Sequence, residues 1–401
     1  MSIKVELGFT ESGASAPFLR LDDPVTGLLD SPKALLGGAE ALVDVTSYVR
    51  DFGITRGKSR ELDRYGAGQA SVRFNNNDRT FDPTYSLSPF FGQVEPRRQI
   101  RISVDGIIQF EGTIDDWNID YEAGGNSIAT AQAFDGIASL ANLETEALTL
   151  NEGFTDDQIT EVLDNISWPI AKRDLDVGAA LLAGQTVTDG TNALGLMQLM
   201  TDSEPGDLFV SKTGDVKFVG RNQPFTTGGV VLSDDGTETP YTAVKVIFGS
   251  ELLYNAWLMK NLTTEVIRES DTSIALYGER DVTRNTLLKE LADLEILGDF
   301  LLARYDNPEY RFESLSINLK TVTNTQRTAL LNLELGDTVK VEFTPAGIPP
   351  AIERFGKVIR LSESFVNNEE IIEIGLEAIT GSLLVLDDVE FGKLDAGLLA
   401  W

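Results

Sequence analysis

The sequence predicts a mainly β protein with minor α, and three observations carry that prediction. Apolar and polar residues alternate over short runs through two long regions, 43–143 and 241–380, the period of a strand with one buried face. Hairpin turns punctuate these runs, the clearest being Asp105-Gly106 between Ile100-Ile102-Val104 and the returning Ile107–Gly112. Only a few stretches carry the longer helical period. The first succession of hairpins makes a small barrel or sandwich and the second completes another barrel. The expected layout is an N-terminal strand and arm (1–45), a first barrel (46–143), a mixed α+β insert (144–240), a second barrel with one long helix (241–380) and a C-terminal tail (381–401).

In the first 45 residues a short alternating strand (Ile3, Val5, Leu7) leads into an arm. From Thr46 to Pro83 a strand-like run ending at Val49 is expected to turn at Asp51-Phe52-Gly53. A basic loop from Arg56 to Arg64 follows. Next comes a strand with Ala70, Val72 and Phe74 on one face, then a turn at Asn75–Asp78, where Asn and Asp bond their own main chain. Asn75, Asn77, Asp78 and Asp82 offer oxygens, but their spacing is not that of a calcium loop, so a turn is expected. Gly66-Ala67-Gly68 is a lone GxG followed by a strand, which argues against a dinucleotide site. Ile114, Trp117, Ile119 and Tyr121 continue the β pattern, Gly124-Gly125 turns, 127–133 returns, and a short helix from Asp135 to Asn142 closes the unit.

In the insert, Thr155 and Gln158 read as a capping box for a helix to about Asn165. A second helix is expected near 192–200, and a hairpin at 204–221 turns on Thr213-Gly214. Further on, Leu287, Leu291, Leu294, Leu297 and Leu301 form one stripe, predicting a helix from Asn285 to Arg304 before Pro308. Strands are expected at 315–319, 333–335, 339–343, 358–361 and 372–376, with a turn at Gly336-Asp337.

Composition removes whole classes of chemistry. The 401 residues include no cysteine and no histidine, so thiol nucleophiles, thiolate metal sites and histidine-based hydrolases are excluded together. The net charge of −30 argues against nucleic-acid binding along the whole chain. Residues 50–101 differ: ten Lys or Arg stand against six Asp or Glu, an excess of four positive charges that leaves −34 on the rest. A basic module on an acidic chain reads either as a charge-matched contact between copies or with a neighbour, through Arg56, Arg60 and Arg64, or as a solvated basic loop. No run of about 18 apolar residues appears, so no stable membrane insertion is expected. The start lacks a secretory pattern, and synthesis in a bacterial cytoplasm is expected.

One ten-residue pattern, LDD-xxx-G-x-LD, occurs at 21–30 and again at 386–395. Leucines alternate there with Asp22, Asp23 and Asp30 in one copy, and with Asp387, Asp388 and Asp395 in the other. Such a peptide cannot bury its own leucines, so each copy reads as a docking segment or as a turn packed on its own domain.

The Thr46–Pro83 stretch, TSYVRDFGITRGKSRELDRYGAGQASVRFNNNDRTFDP, resembles the opening module of the minor tail proteins of long-tailed phages that infect actinobacteria. There a DVT-x-YV strand, an RG-x-SREL loop and a glycine-bearing strand precede N-x-DRxFDP. FEGTIDDW at 110–117, the segment at 131–141, the hairpin at 204–221 and SDTSIALYGERDVT at 270–283 are similar to the same family. The resemblance implies a non-enzymatic virion protein: a tail-tip, or baseplate, hub with two tube-like barrels per chain. It also implies a homotrimeric ring that matches a hexameric tube and gives a channel for DNA exit. Its implied partners are the distal tail protein, the tape measure and fibre or receptor-binding proteins, with DNA only in transit and no cofactor. Two alternatives stand beside it: a tail-associated glycan hydrolase using paired carboxylates, for which the acids suggest no particular pair, and a hexameric distal tail adaptor.

Overall fold

The computed structural model describes residues 2–9, 41–221 and 229–379. The two LDD segments, with Asp22, Asp23, Asp30, Asp387, Asp388 and Asp395, lie outside the described residues, as do most of the arm and the whole of 381–401.

The protein is mainly β, with 45% strand against 20% helix. Strands β1 (Ile3–Phe9), β2 (Ala41–Asp44), β3 (Val49–Gly57), β4 (Gly66–Asn75), β5 (Gln99–Val104), β6 (Ile107–Tyr121) and β7 (Ser127–Phe134) form the first β region. Helix α1 (Gly136–Ala141) closes it, capped by Asp135, whose carboxylate accepts the Ile137 N–H. The β5–β6 hairpin turns at Asp105-Gly106 with φ of +49° and +82°, the left-handed pair a two-residue turn requires. Along β4, Ala70, Val72 and Phe74 are buried in alternation as expected. Phe74, Phe81 and Trp117 stack successively (4.6 and 5.8 Å between centroids), and Phe90 packs on Phe81 and Phe9. This aromatic cluster anchors the turn after β4, where Asn76 accepts the Phe81 N–H and Asp82 binds Arg79 and Thr84.

The mixed region holds α2 (Thr155–Asn165), α3 (Ala193–Ser203) and the hairpin β8 (Asp207–Val210)–β9 (Val216–Val219), with Gly214 at its turn. The second β region comprises β10 (Val231–Ser233), β11 (Thr239–Pro240) and β12 (Ala243–Gly249). It then runs through β13 (Ala256–Lys260), β14 (Glu265–Glu269), α4 (Asp271–Tyr277), β15 (Asp281–Asn285), α5 (Leu291–Tyr305) and β16 (Glu309–Asn318). Helix α6 (Asn324–Asn332), β17 (Thr338–Phe343), β18 (Ile352–Val366) and β19 (Glu369–Ala378) end the described chain.

One fourteen-stranded sheet runs through both β regions in the order β11-β10-β17-β18-β3-β4-β7-β6-β5-β1-β2, with β12-β16-β19 branching from β18. The junction is the antiparallel β3–β18 pair, from Phe52 opposite Phe365 to Gly57 opposite Arg360. Packing therefore runs continuously across positions 143 and 240. One apolar core spans both β regions, and a second joins α1–α3 to Trp257, Met259 and α5. No helix among the described residues is long and apolar enough to cross a membrane.

Several local expectations are corrected. β3 runs unbroken through Asp51-Phe52-Gly53, because β4 and β18 bond it on both sides. Thr155 and Gln158 do not cap α2. Asp157 accepts the Phe154 N–H, while Thr155 binds Glu204 and Gln158 reaches the carbonyls of Asn151 and Ala183. The leucine-rich helix begins at Leu291 rather than Asn285. Residues 281–285 instead pair in parallel with β13, and the amides of Thr286 and Leu287 go to Lys260 O and Ser203 Oγ. Residues 333–335 are not a strand. They follow α6, which opens on a capping box, Thr323 with Gln326.

Candidate functional site

The basic segment after β3 lies where the sheet meets the mixed region, and its geometry begins at Gly57. There φ is +113°, and a Cβ would stand 2.1 Å from Ile359 O of β18. Glycine is required because the two backbones approach so closely. Residues 58–65 then leave the sheet and loop over the mixed region before β4 begins.

Each cation of this segment meets an acid from a distant part of the chain. Arg56 is buried and donates to Glu334 (2.6 Å), and the Glu334 carboxyl, which burial alone would raise, is held below its ordinary range by Arg56. Arg56 is thus taken up inside the chain and has no exposed face for a neighbour. Arg60 remains 65% exposed and pairs with Glu251 at 3.0 Å. Arg64 is 46% exposed and binds Asp202 of α3 at 2.6 Å, where Arg284 of β15 also arrives at 3.1 Å.

Between Arg56 and Arg60 a denser network forms. Lys58 lies 3.5 Å from Asp207 and 3.3 Å from Glu377, donates to Glu61 O and sits over the Tyr65 ring. Lys357 binds the same Asp207 at 2.8 Å. Arg304 of α5 pairs with Glu61 and with Glu377 (3.1 Å), and the Tyr305 hydroxyl donates to Glu61. Burial pushes the Glu377 carboxyl up, but Lys357, Lys58 and Arg304 together bring it down to about 2. Burial lowers the Lys357 ammonium, and Asp207 and Glu377 more than offset that. Beside this network opens a cleft of about 290 Å³ whose wall includes Leu62, Tyr65, Arg284 and Phe300. The arrangement is a largely buried ion-pair network that ties the loop to α5, β8 and β19. It brings Arg60 and Arg64 to the rim and withdraws Arg56 to the interior.

Glu334, Asp207, Lys357 and Glu377 have no sequence signal as partners of this loop, because Arg56 and Glu334 alone are 278 residues apart. The oxygens of Asn75, Asn77, Asp78 and Asp82 are used by the turn: Asn75 accepts the Asn77 N–H, Asn77 the Ser127 N–H and Asp78 the Thr80 N–H. Bonds from Thr84, Arg79 and Tyr121 hold the Asp82 carboxyl far below the ordinary range, against a smaller upward push from burial.

No protein-family model matches the sequence, and no curated protein does. Solved structures do match. The tail protein from Neisseria meningitidis MC58 superposes with a TM-score of 0.61 at 12% identity, covering 94% of this chain and 96% of that one. The 43 kDa tail protein of prophage MuSo2 from Shewanella oneidensis gives 0.59 at 12% identity, covering 84% and 94%. The chain has the fold of these tail proteins. An E. coli component of the type VI secretion system, described as structurally similar to T4 bacteriophage tail proteins gp27 and gp5, superposes with a TM-score of 0.51 at 8% identity, covering 83% of this chain and 74% of that one.

Proposed function

We propose that this chain is a structural hub of a phage tail tip, assembling as a homotrimeric ring between the tail tube and the host-facing tail proteins. The observation that carries the reading is the single sheet built from two β regions in a fold shared with phage tail proteins. Two such regions per chain, times three chains, match a sixfold tube. The ring's channel passes DNA without holding it, and an acidic lining, drawn from the −34 outside residues 50–101, keeps DNA from sticking. The distal tail protein and the tape measure lie on the tube side, and fibre or receptor-binding proteins on the other. The LDD segments at both ends dock on adjoining subunits or neighbouring tail proteins. Arg60 and Arg64, at the rim, contribute the charged part of the subunit contact.

Native mass measurement of the purified chain tests this. Three copies are expected, six would favour a distal adaptor, and a monomer at every concentration and moderate salt would overturn the reading. In the trimer, R60E/R64E is expected to weaken association while shifting monomer stability by no more than about 1 kcal/mol, as for exposed ion pairs.

A further inference from the structure

A second polar cluster lies inside the sheet, away from the basic loop. Glu363 on β18 and Glu370 on β19 are both buried, at 6% and 0% exposure. They are diagonal neighbours on one face, since Glu363 pairs with Ile372 and Phe365 with Glu370. Arg327 of α6 stands over them. It contacts Glu370 at 2.6 Å and, with its Nε, donates to Asp105 at the tip of the β5–β6 hairpin, also at 2.6 Å.

Among the described residues, Arg327 is the cation that pairs with Glu370, and it is divided between Glu370 and Asp105, which also accepts the Ser2 N–H. Lys212, on the β8–β9 hairpin, donates to the carbonyls of Leu331, Asn332 and Leu333, and Arg56 on β3 is held by Glu334. Glu363 Oε1 and Glu370 Oε1 are buried and, among the described residues, meet no N–H or O–H donor. Two adjacent buried carboxyls whose oxygens lack donors are tolerated in a core when one of them carries a proton.

We propose that Glu363 and Glu370 share one proton, and that this acid–carboxylate pair is a proton-operated latch fastening α6 and the β18–β19 hairpin to the β5–β6 hairpin through Arg327 and Asp105. With the proton present, Glu363 donates to Glu370, Glu370 pairs with Arg327, and Arg327 holds Asp105. Loss of the proton places two adjacent anions beside a single arginine already divided between two acids, and the junction loosens. Burial, then the charge of Glu370, push the Glu363 carboxyl up to about 8, so the latch is closed at neutral pH and released under mildly alkaline conditions. Glu363 stands opposite Ile54 within the β3–β18 pair, so the latch ties that junction to α6 and the β5–β6 hairpin and sets how firmly the two β regions are coupled there.

Hydrogen exchange of the full-length protein from pH 6 to pH 9, corrected for the intrinsic rate, reads the latch at residues 104–106 and 324–332. In the wild type the local opening constant is expected to rise about tenfold per pH unit up to about pH 8 and then level off, as release of one proton requires. E363Q, whose amide donates to Glu370 at every pH, is expected to remove this slope. If E363Q fails to fold, E370Q serves instead: Glu363 remains buried and keeps the slope, but without the charge of Glu370 the levelling-off is expected at a lower pH. A wild-type opening constant at these segments that does not change with pH would overturn the proposal, as would an unchanged slope in folded E363Q or an unchanged levelling-off point in folded E370Q.

Discussion

Phe52 on β3 and Phe365 on β18 stack with ring centroids 5.9 Å apart, across the strand pair that makes the two β regions one sheet. Phe52 is 1% exposed, so its ring lies within the shared core. F52A is expected to cost about 3–5 kcal/mol, as for other large core truncations. The loss should appear in one cooperative urea transition reported equally by probes in both regions. Two separated transitions in the wild type would show that the β3–β18 pair does not couple them.

Gly57 gives a sharper test of the same junction. A methyl there meets the Ile359 carbonyl oxygen while the backbone stays at a φ of +113°. G57A should lose at least about 1–3 kcal/mol from backbone strain, with further loss from the clash. G53A, where a Cβ meets nothing within 4 Å, is the control and should be near neutral by the same denaturation measurement.

Removing one partner of the Arg56–Glu334 pair leaves the other charge buried alone. R56M is expected to destabilise by about 3–5 kcal/mol, and R56M/E334M to recover much of that, since replacing both members removes the uncompensated charge. The double-mutant cycle in urea checks this. If the double variant were as unstable as the sum of both singles, the pair would not be coupled.

Asp135 sets a pH dependence. Burial raises its carboxyl to about 7, although N–H groups of Gly68 and Ile137 (2.8 and 3.0 Å) favour the charged form. The folded value lies above the ordinary one, so the stabilisation linked to its proton is full at low pH and is lost as pH rises through about 7. D135N keeps the neutral form throughout. Its unfolding free energy should fall less steeply than the wild type's between about pH 4 and pH 7, measured by denaturation at each pH. Identical slopes would mean that Asp135 titrates normally.

The sequence by itself determined the class of the fold and most of its local punctuation. Period-2 alternation placed β4 and β5, Asp105-Gly106 fixed a hairpin through its left-handed pair, and Asp135 marked the start of α1. These features depend on residues a few positions apart, so local sterics and local hydrogen bonds decide them. Only tertiary structure decided the rest. A turn expected at Asp51-Phe52-Gly53 became a continuous strand because β4 and β18 offered ladder partners on both sides. The helix that the leucine stripe placed from Asn285 starts only at Leu291, because Asn285 ends β15 and the amides of Thr286 and Leu287 bond Lys260 O and Ser203 Oγ. Arg56 read as a surface cation and is buried, since its partner Glu334 comes from the far end of the chain. The pairing of Glu363 with Glu370 beneath Arg327 depends on which strand faces lie together. Side-chain periodicity says that a face is buried, but the partner across it is set by long-range packing.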